Sequence, residues 1–393
     1  MKKNILNPDI QKFINTNINS NLSQLILKGT PFNTVSIQDI VEQIEAKNKC
    51  KYKLPSWFET ATIYYPNKLN IAQSSSEIAA SYKAKLISGN SIIDLSGGFG
   101  VDCYYFSKAF KNVIHCELNP NLQPIAQYNF KLLKVPNIKS MQNDGLEVLT
   151  QLDQKFDWIY IDPSRRHDVK GKVFYLSDCV PHVPKHLEQL FKYSQNILIK
   201  ASPMLDISIG LKELKHTKAL HIVAINNEVK ELLFVLEKGY KAEVNIVTVN
   251  LKKNTTQKFN FLLHAESKAI SNYSVPKAYL YEPNAALMKA GPFKLISENF
   301  SVYKLHKHTH LYTSDVLMTF PGRRFVVKET LSYNKKILKS KLSNQKLNIS
   351  TRNFPDSVAQ LKKQFKIKDG GHLYVFFTTD QDQNKIVIIC EKA

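Results

Sequence analysis

In the stretch SIIDLSGGFGVD, Asp94 closes an apolar run and is followed by Ser96, Gly97, Gly98, Phe99 and Gly100 before a helical pattern begins at Val101. Glycines let a backbone turn tightly and approach a ligand closely, and the first amides of the next helix lack intrahelical partners, so the pattern marks a cofactor site. Taken alone, such a turn is as often plain loop chemistry. A dinucleotide fold needs one more glycine beyond G-x-G to pack helix on strand, and Cys103 holds that place. An acid ahead of the glycines suits a cationic amino group better than a pyrophosphate.

Further acids follow at the ends of further apolar runs: Glu117 in NVIHCEL, Asp144 in QNDG and Asp162 in IDPSRR. A carboxylate at Glu117 can accept from both hydroxyls of a ribose, and one at Asp144 from an adenine amine. Each has an ordinary alternative, since Glu117 could cap a helix and Asp144 with Gly145 could form a turn. Four acids at four successive strand ends nonetheless select S-adenosylmethionine (SAM), whose methionine end carries the amino group Asp94 would face.

These residues need a scaffold, and the periodicity supplies one. Residues 8 to about 88 read as helices, with Ile10, Phe13 and Ile14, then Ile37, Val41 and Ile44, at three-and-four spacing, separated by breaks at Pro31 and Pro55. From about 90 to 240, the runs SIIDL, NVIHCEL, NIKSMQND, FDWIYID, NILIKA, ALHIVAI and ELLFVLE alternate with helical segments, which predicts a parallel α/β sheet. Only NNEVK separates the last two runs, too short for a crossover helix, so they should pair antiparallel. After a polar stretch around Lys252 to Lys258, the chain from about 276 to 393 mixes short helices and strands in an α+β appendage.

Composition narrows the partners. The formal net charge of +21 places a basic field over the molecule, which favours phosphate-rich partners. The charge gathers in the tail at Arg323, Arg324, Lys328, Lys335, Lys336, Lys339, Lys341, Lys346, Arg352, Lys362, Lys363, Lys366 and Lys368. Tyr333, Phe354 and Phe365 lie among them and could stack on unpaired bases or serve as core. The five cysteines form no CxxC pair, so neither a disulfide framework nor a metal site is expected. No apolar run is long enough to span a membrane, and the basic N-terminus lacks the apolar core of a signal peptide, so a cytoplasmic location without membrane partners is expected.

Residues 90 to 240 resemble the Rossmann-like fold of class I methyltransferases, and DLSGGFG resembles its first motif, D-x-G-x-G-x-G, with Ser96 in place of the first glycine. The resemblance implies that Asp94, Ser96, Gly98 and Gly100 hold the methionine end of SAM, Glu117 the ribose and Asp144 the adenine. YLYEPNAALMKAG, TSDVLMTFPGRRF and STRNFPDSVAQLKKQFKIKDGG resemble bacterial methyltransferases that carry a ferredoxin-like segment and a C-terminal THUMP-like domain. Four regions are therefore expected: a helical region at 1–88, a methyltransferase domain at 89–250, a ferredoxin-like segment at 276–320 and a THUMP-like domain at 321–393. Structured RNA, tRNA or rRNA, becomes the leading substrate, bound through Arg323, Arg324, Lys335, Lys336 and Arg352. No obligate protein partner is implied.

Asp162-Pro163-Ser164-Arg165 stands where amino-directed methyltransferases carry a motif resembling D/N-P-P-Y/F/W, which makes Asp162, Pro163 and Arg165 the candidate catalytic residues. Arg165 replaces the stacking aromatic; a guanidinium can stack on a base or grip phosphate, and with Arg166 it can also be plain surface. His167 is a candidate base or a loop residue. Attack by a pyrimidine carbon would need a thiolate at the acceptor, and no cysteine adjoins the motif; Cys179 follows Asp162 by seventeen positions. A base nitrogen, or alternatively an oxygen, is thus expected ahead of carbon. A non-catalytic SAM- or RNA-binding module, or an enzyme acting on a small molecule or protein, are the alternatives.

Overall fold

The computed structural model describes residues 1–165 and 174–393, with only the backbone of Arg165 described. Side-chain caps fix where its N-terminal helices begin. Behind a 3-10 turn at Lys3–Leu6 come α1 (Pro8–Thr16), α2 (Leu22–Lys28), α3 (Ile37–Lys53), α4 (Pro55–Glu59), α5 (Lys68–Gln73) and α6 (Glu77–Leu86). Asn7, Asn21, Ser36, Asn67 and Ser76 each accept a first-turn amide, and Ser36 forms a reciprocal capping box with Asp39. The apolar face of α3 joins Trp57, Ile63 and Ile71 in a buried cluster that extends to Phe99 and Val101. The rings of Trp57 and Phe99 lie 4.7 Å apart, so the helical region packs directly on the glycine loop.

The chain divides into two compact units, residues 1–218 with 231–241, and residues 219–230 with 242–393. In the first unit, strand and helix alternate: β1 (Gly89–Asp94), α7 (Val101–Phe106), β2 (Phe110–Cys116), α8 (Gln123–Leu132), β3 (Ile138–Met141), α9 (Gly145–Leu152) and β4 (Phe156–Ile161). A short ribbon of β5 (Ser164–Arg165) and β6 (Cys179–Val180) precedes α10 (Val183–Tyr193), β7 (Ser194–Ala201) and α11 (Ile207–Glu213). After β8 (Thr217–Ile225) comes β9 (Glu228–Glu237). The order within this unit is β3-β2-β1-β4-β7-β9, all parallel except β9, which runs antiparallel to β7. Strand order reverses between β1 and β4, and in open sheets of this kind ligands lie over the carboxyl ends of the strands at that switch point. The link between β8 and β9 is Asn226–Asn227, both at positive φ (51° and 68°), the backbone of a two-residue hairpin turn.

In the second unit, β8 pairs in parallel with β10 (Asn245–Leu251), which pairs antiparallel with β11 (Thr256–Leu262). The polar stretch read as a boundary is therefore a turn leading into an edge strand, whose alternating TQKFNFL pattern leaves one face to solvent. After α12 (Ala265–Lys268) come β12 (Tyr279–Pro283), α13 (Ala285–Ala290), α14 (Phe293–Asn299), β13 (Tyr303–His306), β14 (Thr309–Ser314), β15 (Gly322–Ser332), α15 (Lys335–Leu342), β16 (Asn348–Arg352), α16 (Val358–Phe365), β17 (Leu373–Thr379) and β18 (Lys385–Lys392). Seven of these strands form one sheet in the order β13-β14-β12-β15-β18-β17-β16. β12 pairs with β15 from Tyr279↔Val326 to Pro283↔Gly322, so segments 276–320 and 321–393 share a single sheet.

Candidate functional site

Ser96 lies between two strand ends that carry acids. Its Oγ donates to Asp94 Oδ1 (3.1 Å) and accepts the Asp162 amide (2.6 Å), and its own amide donates to the same Asp94 oxygen at 2.9 Å. Asp94 Oδ2 accepts from the Cys103 thiol at 3.3 Å. The Asp94 side chain is thus buried and turned into the loop, and burial pushes its carboxyl up to about 7 against the pull of the Ser96 amide. The sequence reading aimed this acid at a ligand; in the structure it braces the turn that a ligand would meet.

The glycines have distinct reasons. A Cβ on Gly97 would lie 2.3 Å from the His115 ring, and Gly100, at φ 84°, would place one 2.3 Å from Phe130. His115 escaped the sequence reading. It is buried below the loop, with Nδ1 2.9 Å from the Ser140 hydroxyl and Nε2 3.3 Å from the Gly98 carbonyl. Burial lowers its pKa to about 4, so the ring is neutral at physiological pH and can donate from Nε2 to Gly98.

Glu117 follows β2 with one oxygen accepting the Gly98 amide (2.8 Å) and the other the Asn119 amide (2.7 Å). A cleft of about 280 Å³ opens beside Asn119 and Asn121, walled on its other side by Gln43, Tyr64 and Tyr65. Asp144 is the N-cap of α9, its Oδ1 accepting from Leu146 and Glu147. The plain alternative named for it, local cap and turn chemistry, is therefore present.

Asp162 follows β4 and meets Lys200, the penultimate residue of β7, whose ammonium engages Asp162 Oδ2. Behind this pair lies a second lysine with no exposed surface, Lys83 of α6, bonded to Glu231 at 2.9 Å, Asp102 at 3.2 Å and the Ser75 hydroxyl at 2.9 Å. The Tyr160 hydroxyl donates to Asp102 at 3.0 Å. Burial works against the charge on Lys200, yet Asp162, Asp102 and Glu231 outweigh it and hold its pKa above the usual lysine range. Lys83 and Lys200 in turn keep Asp102 below the usual carboxylate range despite its burial. The sequence signal for this cluster was faint: Lys200 falls within the apolar strand NILIKA, and Glu231 opens the run ELLFVLE.

Pro163 is buried and Ser164 exposed. The backbone of Arg165 pairs with Cys179 in the β5–β6 ribbon. Cys179 therefore does reach the acceptor motif, contrary to the distance its sequence position implied, but its side chain is fully buried and its thiol donates to the Tyr175 carbonyl at 3.6 Å. The side chain of Arg165, and Arg166 and His167, lie outside the described residues.

Among the tail cations, Arg323 and Arg352 grip opposite oxygens of the buried Glu282, which ties β12, β15 and β16 together. Arg324 points toward the Met318 carbonyl at 3.5 Å. Lys328, Lys341 and Lys362 pair with Glu391, Glu329 and Asp369. Lys335, Lys336, Lys339, Lys346, Lys363, Lys366 and Lys368 are exposed. Phe365 is buried, and Tyr333 and Phe354 pack on Phe377 in the core beneath α15 and α16, so these rings fill the core and are not presented to bases.

The sheet and its glycine turn define the class I methyltransferase fold. The tail matches the models of a ferredoxin-like domain over residues 279–321 and of a THUMP domain-like module over 322–392. A crystal structure from Porphyromonas gingivalis W83, provisionally classed as a methyltransferase, is 32% identical with a TM-score of 0.89 and covers 100% of this chain and 99% of its own. The chain belongs to the same family as that protein. More distant resemblances include M. capricolum TrmK with S-adenosylhomocysteine (16% identity, TM-score 0.31, covering 41% of this chain and 68% of that one) and an rRNA methylase from Streptococcus thermophilus (10%, 0.31, 41% and 94%). No curated protein matches the sequence. No helix among the described residues is long and apolar enough to cross a membrane.

Proposed function

We propose that the chain is a SAM-dependent methyltransferase that modifies a heteroatom of structured RNA, tRNA or rRNA, in the cytoplasm. The observation that carries this reading is the glycine turn and Glu117 set at the switch point of a class I sheet, in a chain of a methyltransferase family. The residues fit the cofactor. At Gly98 an added Cβ would meet nothing closer than 3.8 Å, so the turn's backbone is open there, Gly100 lets the turn close on Phe130, Asp94 and Ser96 brace the turn, Glu117 would exchange its amide partners for ribose hydroxyls, and Asp144 Oδ2, which takes no bond among the described residues, is available to an adenine amine. SAM supplies a methyl group already activated by a sulfonium, so the protein's task is to seat the acceptor and exclude water.

Residues 89–250 carry the transfer, with Asp162 and Pro163 at the acceptor, while 276–320 and 321–393 present the RNA-binding face. Lys335 and Lys336 occupy the first turn of α15, where cations oppose the helix dipole, an arrangement that suits a surface kept basic for phosphates. Carbon attack is disfavoured because Cys179, the cysteine beside the acceptor motif, is buried with its thiol bonded. The test compares modified nucleosides by mass spectrometry in cells with and without the gene, then restores the missing one in vitro with SAM. Restoration by the intact protein and loss with Asp162→Ala support the reading; an unchanged nucleoside profile overturns it.

A further inference from the structure

Resting on the methyltransferase reading above, we propose that the acceptor is a hydroxyl, the ribose 2′-OH of RNA, and that Lys200 is a catalytic residue which seats it together with Asp162. The ammonium of Lys200 engages Asp162 Oδ2, while Oδ1 takes no bond among the described residues and a third of the side chain remains exposed. The pair therefore offers an acceptor atom one cation and one free carboxylate oxygen.

Charge decides between nucleophiles. A neutral base nitrogen that attacks a methyl group gains positive charge, and a fixed ammonium beside it opposes that gain. A hydroxyl that attacks loses its proton and gains negative charge, which the same ammonium favours. The hydroxyl hydrogen-bonds to Asp162 Oδ1. Its oxygen forms a bond to the methyl carbon as the carbon–sulfur bond of SAM breaks, with that electron pair passing to sulfur. The hydroxyl proton moves to Asp162 and then to water, and Lys200 stays protonated throughout.

Two further observations agree. Lys200 is held charged from behind by Asp102 and Glu231, which Lys83, fully buried, only partly offsets, and Glu231 keeps one buried oxygen without a hydrogen-bond partner among the described residues. A buried charge cluster this dense costs stability, a cost commonly borne at functional sites. Arg165 stands at the position where the motif carries its aromatic, so the stacking ring that an extruded base would meet there is missing.

The test incubates the unaltered full chain with methyl-labelled SAM and RNA from cells lacking the gene, then cleaves the glycosidic bonds of the labelled nucleosides. Label on the sugar fragment supports the proposal. Label on the base overturns it while leaving RNA methylation intact, and no label in any RNA overturns both readings. As a second measurement, Lys200→Met should lower transfer at least a hundred-fold while S-adenosylhomocysteine binds within three-fold of its original affinity. Retention of transfer within three-fold by a folded Lys200→Met protein also overturns it.

Discussion

Ser96 Oγ accepts the amide hydrogen of Asp162 at 2.6 Å, so the serine that stands where a glycine is expected ties the cofactor turn to the acceptor motif. Ser96→Gly, which would restore the usual glycine, should therefore weaken the site. Losing a bond of this kind costs about 1 kcal/mol. The expected outcome is a several-fold lower affinity for S-adenosylhomocysteine by calorimetry; an unchanged or tighter affinity would show that the tie has no role.

Asp94 should make stability depend on pH. Its folded carboxyl holds a proton up to about pH 7, whereas the unfolded one releases it near 4. Stability linked to this group is complete below pH 4, is lost as pH rises toward 7, and changes no further above that. Asp94→Asn removes the loss, so its stability relative to the native chain should improve by on the order of 2 kcal/mol between pH 5 and pH 8 in urea unfolding. A difference independent of pH would contradict the burial argument.

Gly97→Ala should disrupt the loop through His115, because the added methyl would meet the ring at 2.3 Å. His115→Ala alone also loses the contact to the Gly98 carbonyl. The two substitutions together should be less harmful than the sum of each, with a coupling of ~1 kcal/mol or more in thermal unfolding. Additive effects would mean that the clash is relieved elsewhere.

The tail cations should separate into two kinds. Lys335→Glu with Lys336→Glu should leave folding intact, lower RNA affinity and flatten the salt dependence by about two ions. Arg352→Ala should instead cost ~2 kcal/mol or more of stability, since it strips one partner from the buried Glu282. Equal effects of both on RNA binding at unchanged stability would refute the division.

Most of the sheet was legible because each strand announces itself as a short apolar run between helical segments, and the hairpin after β8 followed from the brevity of NNEVK. Asp94, Glu117, Asp144 and Asp162 were legible as strand-end acids, but their orientation was not, since the cap at Asp144 and the inward turn of Asp94 depend on backbone amides that no pattern records. The cluster of Lys83, Asp102, Lys200 and Glu231 was illegible for another reason. Its members come from α6, α7, β7 and β9, and only the folded sheet makes neighbours of them. Arg323 and Arg352 were read as RNA-binding surface because Glu282, the acid that claims both, lies in a different expected region.

The pairing of β12 with β15 bears on how this protein can be divided. A chain ended before Gly322 would leave β12 with one open edge and would strip Phe325, Phe376 and Ile388 from the core they share with Leu280 and Leu311. Such a fragment is expected to aggregate, because bare strand edges invite pairing between molecules. The two tail modules are therefore heritable as one piece: a lineage would gain or discard both together, and a graft onto another enzyme must carry residues from Tyr279 onward.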